Sequence, residues 1–190
     1  MEVKIPYGFI TNPGIIPSHV LCWLRGLNVE FAQRPSQQNV PQEMLEMPNA
    51  THFTKLENMM HSAPMMKLTG ARACIKKGKA EITLPVRRKF FHAAGALHGS
   101  LYFLALDNAA FFAVNSLVED VFVLTASLTT YLTRPVTEGT LKAVGKVVSR
   151  GRTQFIAESV LYDAEGREVG RANGIFVKSR TPLSGEIGYR

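Results

Sequence analysis

A long apolar run occupies the middle of the chain, at residues 101–117 (LYFLALDNAAFFAVNSL). Its hydrophobic positions cover most of the circumference of a helix, so the pattern predicts a helix over residues 95–117 that is buried on nearly all sides. The run holds a single carboxylate, Asp107. A carboxylate in such a helix is costly unless it is paired, hydrogen-bonded or used in chemistry.

Segments with β-sheet character lie on both sides of this helix. Residues 121–133 alternate between apolar and polar positions, which predicts a half-buried strand with Thr125 on its polar face. A short helix over residues 51–61 begins the ordered part, with Thr54 and Glu57 as a capping box. The remaining predicted strands cover residues 71–75, 79–86, 139–149, 153–162 and 168–178. This order predicts an α+β fold in which a curled antiparallel sheet surrounds one long central helix.

The first 48 residues differ from the rest because prolines break every candidate periodicity. We expect residues 1–48 to be an N-terminal extension that is flexible, loosely packed or not native to the protein. The alternative is a short docking arm around residues 20–27. The predicted domain covers residues 49–180, and residues 181–190 are expected to form a frayed C-terminal tail.

Composition narrows the functional classes. Of 190 residues, 46% are hydrophobic and 19% are charged, which is typical of one globular domain. The net charge is +7, but the basic residues are scattered and no nucleic-acid-binding motif is present, so we expect an anionic small ligand and no nucleic acid. The two cysteines, Cys22 and Cys74, form no Cys-x-x-Cys motif. Without a conventional signal peptide, the expected location is the cytoplasm.

Two alternatives compete for the apolar run. As a membrane span, it would carry Asp107 and Asn108 at its centre. A central acid costs roughly 2.5–3.5 kcal/mol there, and strand-like segments lie close by, so no membrane span is expected. As a structural core helix, it would hold Asp107 as a satisfied polar group without chemistry.

The residues before the run favour a chemical role. The segment Gly95-Ala-Leu-His98-Gly99-Ser100 predicts a loop that leaves the first N–H groups of the helix open to a ligand oxygen. A polarising helix start and a buried acid on one element are typical of acyl-transfer sites.

The motif order resembles that of hotdog-fold acyl-CoA thioesterases, with the phenylacetate-degradation (PaaI-like) group as the most similar. The similarity covers about residues 50–180: a strand pair, the Gly-x-x-His-Gly-Ser helix start, Asp107-Asn108, and four strands that include the sequence Tyr-Leu-Thr-Arg-Pro at 131–135. It implies a hotdog fold and metal-free hydrolysis of an aryl or a medium or long aliphatic acyl-CoA to free acid and CoA. Ser100 stands where a second glycine is commoner.

The resemblance also implies residue roles. Gly99 would donate its N–H to the thioester oxygen, Asp107 would act as general base or nucleophile, and His98 would shape the helix start. Thr125 matches a position where relatives often carry Ser or Thr near the acid. His92 stands six residues before His98, where relatives usually carry an Asn that orients substrate or water.

Coenzyme A brings several phosphate charges, for which Arg134, Arg150 and Arg152 are candidate partners. Solvated turns are the alternative role for these arginines. Five phenylalanines could line an acyl pocket or belong to the plain core: Phe90, Phe91, Phe103, Phe111 and Phe112. His92 and His98 have no further ligand at useful spacing, so no metal is expected, and no cofactor besides the CoA thioester.

Helix geometry bears on the assembly. His98 and Asp107 are nine residues apart, which places them half a turn and roughly 13 Å apart on an ideal helix. One thioester cannot reach both positions on one helix. We therefore expect a homodimer, or a dimer of dimers, whose sites are shared between chains. A non-hydrolytic acyl-CoA sensor or scaffold is the alternative function, for which His92 is the main support, and a hotdog dehydratase is a weaker third.

Overall fold

The computed structural model describes residues 50–190, so the predicted extension over residues 1–48, its docking arm and Cys22 lie outside the described residues. In chain order the elements are α1 (Ala50–Ser62), α2 (Pro64–Thr69), β1 (Arg72–Lys76), β2 (Lys79–Pro85), α3 (Gly99–Asn115), β3 (Val121–Leu132), β4 (Thr140–Arg150), β5 (Gln154–Tyr162) and β6 (Glu168–Pro182). Short 3-10 turns cover Arg88–Phe90 and Gly185–Ile187. The short helix α2 was not predicted.

The six strands form one antiparallel sheet in the order β1-β2-β4-β5-β6-β3. The sheet curls around α3, whose contacts extend to every strand. The predicted α+β fold, with a curled sheet around one long helix, is confirmed. Within residues 50–190, no helix is both long enough and apolar enough to cross a membrane.

Small residues let α3 lie deep against the sheet. Ala105, Ala109 and Ala113, each one turn apart on one face, are fully buried. A Cβ added to Gly145 of β4 would overlap the Ala109 carbonyl. The hydroxyl of Ser159 donates to the Leu106 carbonyl at 2.9 Å. The helix is therefore held close to the strands. Its position along the sheet determines which part of the sheet its polar residues face.

The central helix is shorter than predicted at both ends. Gly95 lies in a turn with φ of +81° and donates its N–H to the His92 carbonyl, so the chain is not yet helical there. The helix begins at Gly99 and ends at Asn115. The Asn115 side chain donates to the Val118 carbonyl at 3.0 Å, which closes the turn into β3.

A β-bulge at Ala126 reverses the predicted faces of β3 in the part of the strand that precedes it. Thr125 and Ser127 pair with the adjacent residues Phe176 and Ile175 of β6, so β3 contains one extra residue at this point. Before the bulge Val123 is buried and the half-buried Thr125 faces α3, whereas Leu124 is 49% exposed. The prediction that Thr125 lies on the outer, polar face is wrong, because strict alternation ignores the bulge.

The prediction that residues 181–190 form a frayed tail is also wrong. Strand β6 continues to Pro182, and a 3-10 turn follows. The Tyr189 hydroxyl lies 2.6 Å from Nδ1 of His52, and His52 Nε2 donates to the Asn115 carbonyl at 3.0 Å. The Asn58 side chain donates to the Arg190 carbonyl at 2.5 Å. The segment 183–190 is therefore attached to helix α1.

The predicted capping box is wrong because α1 begins at Ala50, which places Thr54 and Glu57 inside the helix. The Glu57 side chain is fully buried, and one carboxyl oxygen accepts the Ile75 N–H of β1 at 2.8 Å. Burial raises the pKa of Glu57 to about 7, and the hydrogen bond from Ile75 opposes part of the rise. Glu57 thus joins α1 to the edge of the sheet as a protonated acid below neutral pH.

We expect the wild-type protein to become less stable as pH rises because of Glu57, and Glu57→Gln to abolish this decrease. The unfolded chain releases this proton near pH 4.5 and the folded chain near pH 7, so the folded state binds more protons between these values. Its stability then falls as pH rises, by about 3 kcal/mol across the window. Urea unfolding at pH 5 and pH 8 would measure this.

Comparison with the variant cancels the opposite contribution of His52 and His61, whose pKa values burial lowers. The exposed Glu138→Gln should retain the wild-type difference between the two pH values. An equal pH dependence in wild type and Glu57→Gln would contradict the assignment.

Candidate active site

One carboxylate and one hydroxyl meet where α3 crosses β3. The Thr125 hydroxyl donates to Oδ1 of Asp107 at 2.8 Å. Burial raises the pKa of the Asp107 carboxyl above its ordinary value, and the hydrogen bond from Thr125 offsets part of that rise. Both side chains are half-buried, so the carboxylate remains within reach of a ligand.

Asp107 and Thr125 line a cleft of about 780 Å³. Its other walls are largely apolar and come from α1, α2, α3, β3 and the segment 183–190; they include Met59, Met60, Ala63, Met66, Phe111, Phe112, Phe122 and Ile187. A cleft of this size and character fits a ligand with a bulky apolar part. Glu186 and Arg190 of the segment 183–190 also line the cleft, so Asp107 is one of three charged residues on a surface that is otherwise largely apolar.

Only part of the predicted phenylalanine set contributes to this cleft. Phe111 and Phe112 line it, with their rings in edge contact at 4.9 Å between centroids. Phe90 and Phe91 pack against the core elsewhere, and Phe103 is 43% exposed on α3. Sequence reasoning missed the methionines of α1 and α2, for which the clustering of Met59, Met60, Met65 and Met66 was the available signal.

The start of α3 forms a second polar feature. His98 is the N-cap residue, and its Nδ1 accepts the Ser100 N–H at 3.1 Å and lies 2.8 Å from the Ser100 hydroxyl. Among the described residues, the Gly99 N–H has no hydrogen-bond acceptor. This N–H therefore remains available to a ligand oxygen, with the helix dipole behind it.

The helix start opens into a smaller cavity of about 250 Å³. Its walls are His92, Leu97, Gly99, Tyr102, Leu132, Thr133, Arg134 and Pro135. The Nδ1 of His92 accepts the Ala94 N–H at 3.1 Å, so the other ring nitrogen is the one left for a ligand. Tyr102 donates its hydroxyl to the Arg134 carbonyl at 3.1 Å, which fixes the backbone beside the cavity.

Asp107 and Gly99 do not share a cavity within one chain. They are eight residues apart on α3, about 12 Å along the helix axis. Asp107 lines the larger cleft and Gly99 the smaller one. The structure therefore brings Thr125 to Asp107 and His92 to Gly99, but it does not bring the two pairs together in one protomer.

The candidate phosphate ligands separate in the same way. Arg134 lines the smaller cavity, whereas Arg150 and Arg152 are exposed at the β4–β5 hairpin and line neither cavity. Sequence reasoning missed the exposed basic turn Arg87-Arg88-Lys89. The His98 N–H donates to the Phe90 carbonyl at 3.0 Å, which places this turn beside the helix start. Within residues 50–190, none of these three cations forms an ion pair with a carboxylate.

Known proteins resemble this chain over the segment that carries the helix start and Asp107. Residues 94–170 match the model of the Thioesterase superfamily. That range contains the helix start, Asp107 and most of the sheet. The predicted resemblance to hotdog-fold thioesterases is confirmed.

Individual proteins extend the similarity. A "putative esterase" of Saccharolobus solfataricus is 27% identical over 109 residues, which are 57% of this chain and 78% of that protein. The Escherichia coli PaaI protein of the phenylacetic acid degradation operon has a TM-score of 0.66 at 18% identity, over 72% of this chain and 99% of that one, which shows the hotdog fold. A thioesterase family protein of Silicibacter pomeroyi has a TM-score of 0.60 at 27% identity, over 65% and 94%. These similarities support thioester hydrolase activity in general.

Proposed function

We propose that this protein hydrolyses acyl-CoA thioesters to free acid and CoA, without a metal or further cofactor. The observation that carries the proposal is Asp107, a carboxylate held by Thr125 in a cleft that is otherwise largely apolar. Such a cleft offers room for an acyl group, and its acid lies where a carbonyl carbon could be attacked. A cytoplasmic location is part of the proposal.

Asp107 acts in this scheme on water or on the thioester itself. As general base it takes a proton from water as the water oxygen bonds to the carbonyl carbon; as nucleophile it forms that bond directly, and water then hydrolyses the anhydride. In either route the tetrahedral intermediate expels CoA as a thiolate, which takes up a proton. In the nucleophilic route this loss forms the anhydride, before water attacks it. The Thr125 hydroxyl keeps one carboxylate oxygen in place, and the other is left for the reaction.

The Gly99 N–H stabilises the oxyanion. Negative charge develops on the thioester oxygen only as the tetrahedral state forms, so a fixed donor at a helix start lowers the barrier selectively. His98 caps the helix through Ser100 and so orients this donor without touching substrate. His92, in the same cavity, is proposed to orient the thioester or the water.

Two chains complete each site in this proposal. Strand β3 is 12 residues long and lies at one edge of the sheet, and an unpaired edge of this length is a template for pairing with another strand. Thr125 is the fifth residue of β3, in its first half, and Leu132 is its last residue. A Cβ at Gly99 would lie 3.1 Å from Leu132, so the helix start belongs to that second end.

Antiparallel pairing of β3 with a second β3 about a twofold axis would exchange these ends. It would place the Gly99 end of one protomer opposite the Asp107 end of its partner. Exposed apolar side chains favour this edge of the sheet as the interface: Phe103 on α3, and Leu124, Tyr131 and Leu132 on β3 are 43–55% exposed. Arg134 and the basic turn Arg87-Arg88-Lys89 beside the helix start would meet the CoA phosphates.

A panel of aryl-CoA and aliphatic acyl-CoA thioesters tests the activity, with free thiol release measured over time. We expect turnover of at least one member well above the uncatalysed rate. Thermal denaturation with the same panel measures binding separately, because a ligand of the folded state raises the melting temperature. Binding without thiol release would identify a non-hydrolytic acyl-CoA sensor or scaffold. The absence of both binding and thiol release would contradict both functions.

A further inference from the structure

We infer that the larger cleft takes a flexible aliphatic acyl chain of medium or long length, and that the segment 183–190 forms the end wall that limits this length. The inference rests on the proposed function, since it assigns the substrate class of the same site.

The cleft extends away from the helix start. From Asp107 it follows α3 to Phe112, about 7 Å along the helix axis. From Thr125 it follows β3 back to Phe122, about 10 Å along the strand. A thioester carbonyl at Asp107 would therefore project its acyl group along a channel, and the volume of about 780 Å³ far exceeds a short acyl group.

The walls of this channel suit an alkyl chain. Met59, Met60 and Met66 face it from α1 and α2. Methionine side chains are unbranched and adaptable, so they can follow a substrate that has many conformers. A rigid aryl group would occupy only the part beside Phe111 and Phe112, and the methionine-lined part would remain unfilled.

The segment 183–190 lines the cleft and is held against α1. Gly188 has φ of +86°, a conformation that other residues rarely adopt, and a Cβ there would overlap the Ser62 hydroxyl. The hydrogen bonds of His52 with Tyr189, and of Asn58 with Arg190, hold both sides of this contact. Ile187, half-buried, contributes its side chain to the cleft from this wall.

Chain-length profiles of two opposite substitutions test the inference. Wild type is expected to gain about fourfold in kcat/KM per added methylene until the channel is full, as for full burial of each group. Ile187→Trp should move the optimum to shorter chains and lower the ratio of kcat/KM for decanoyl-CoA to that for butanoyl-CoA at least tenfold. Ile187→Ala should move the optimum to longer chains.

Leu68→Trp is the matched control, because Leu68 of α2 is 52% exposed and lies outside the cleft; its ratio should equal that of wild type. S-alkyl-CoA thioethers, which cannot be hydrolysed, provide a second measurement by their dissociation constants. A chain-length dependence that is flat in wild type, or unmoved by both Ile187 variants, would overturn the inference even in an active enzyme. Thioether binding that depends on chain length and on Ile187, without thioester turnover, would leave the inference intact and reject hydrolysis.

Discussion

Replacing Asp107 by Asn should reduce kcat for thioester hydrolysis by a factor of about 10³, which is typical for loss of a positioned general base. The amide keeps the shape of the side chain and can still accept the Thr125 hydroxyl, so folding should be preserved. Stopped or continuous measurement of free thiol gives kcat, and thermal denaturation verifies the fold. Asp120→Asn, which alters an exposed carboxylate paired with Lys178 on the surface, is the control and should retain activity.

A second variant separates a chemical from a structural role for Asp107. Thr125→Val removes the hydrogen bond that favours the ionised carboxylate, so the pKa of Asp107 should rise further. If hydrolysis requires the ionised form of Asp107, the acidic limb of the pH–activity profile should move to higher pH in Thr125→Val. Thr125→Ser should restore the wild-type profile. Full activity in Asp107→Asn, with no shift of the pH profile in Thr125→Val, would assign both residues to structure alone.

Mixing two inactive variants should restore up to about half of the wild-type activity. One variant is Asp107→Asn and the other is Gly99→Pro, which removes the N–H donor. Position 99 is the first residue of α3 and follows an extended His98, where proline suits the backbone. In a heterodimer with shared sites, one site would combine an intact Gly99 with an intact Asp107, and the other would carry both substitutions.

Co-expression with two different affinity tags isolates the heterodimer for assay. Gly99→Ala, which keeps the N–H and only places a Cβ near the exposed Leu132, is the matched control and should be far less impaired than Gly99→Pro. Heterodimers that form and are as inactive as both parents would reject sharing. Gly99 and Asp107 would then act within one chain or on different ligands.

The elements with a strong local pattern were predictable from the sequence. Burial of α3 and of the strands against each other leaves a hydrophobic pattern in the sequence. The predicted order and approximate bounds of α3 and the six strands therefore agree with the structure. The resemblance rested on the His98-Gly99 and Asp107-Asn108 motifs, which are short, contiguous stretches of sequence and can be recognised without the structure. The helix ends were less predictable, because Gly95 enters a turn that depends on the Leu97 bridge to Phe91.

Features that depend on distant contacts were not predictable in this way. Helix α2 and the segment 183–190 have no marked periodicity, and the segment is ordered by partners such as His52 that lie more than 130 residues away. The local sequence suggested that Glu57 caps a helix. Its actual N–H partner belongs to β1, which a local pattern cannot reveal. The two halves of the candidate site were identified as residues, but their separation into two cavities required the packed sheet.

The bulge at Ala126 has a consequence for matching relatives by alignment. The extra residue lets both Thr125 and Leu128 point toward the helix side although they are three positions apart. In a relative whose strand is regular, an ungapped alignment would agree with this chain on only one side of that point. A residue aligned with Thr125 could then lie on the opposite face of the sheet, and the partner of the carboxylate would be found one position along, behind a gap of a single residue.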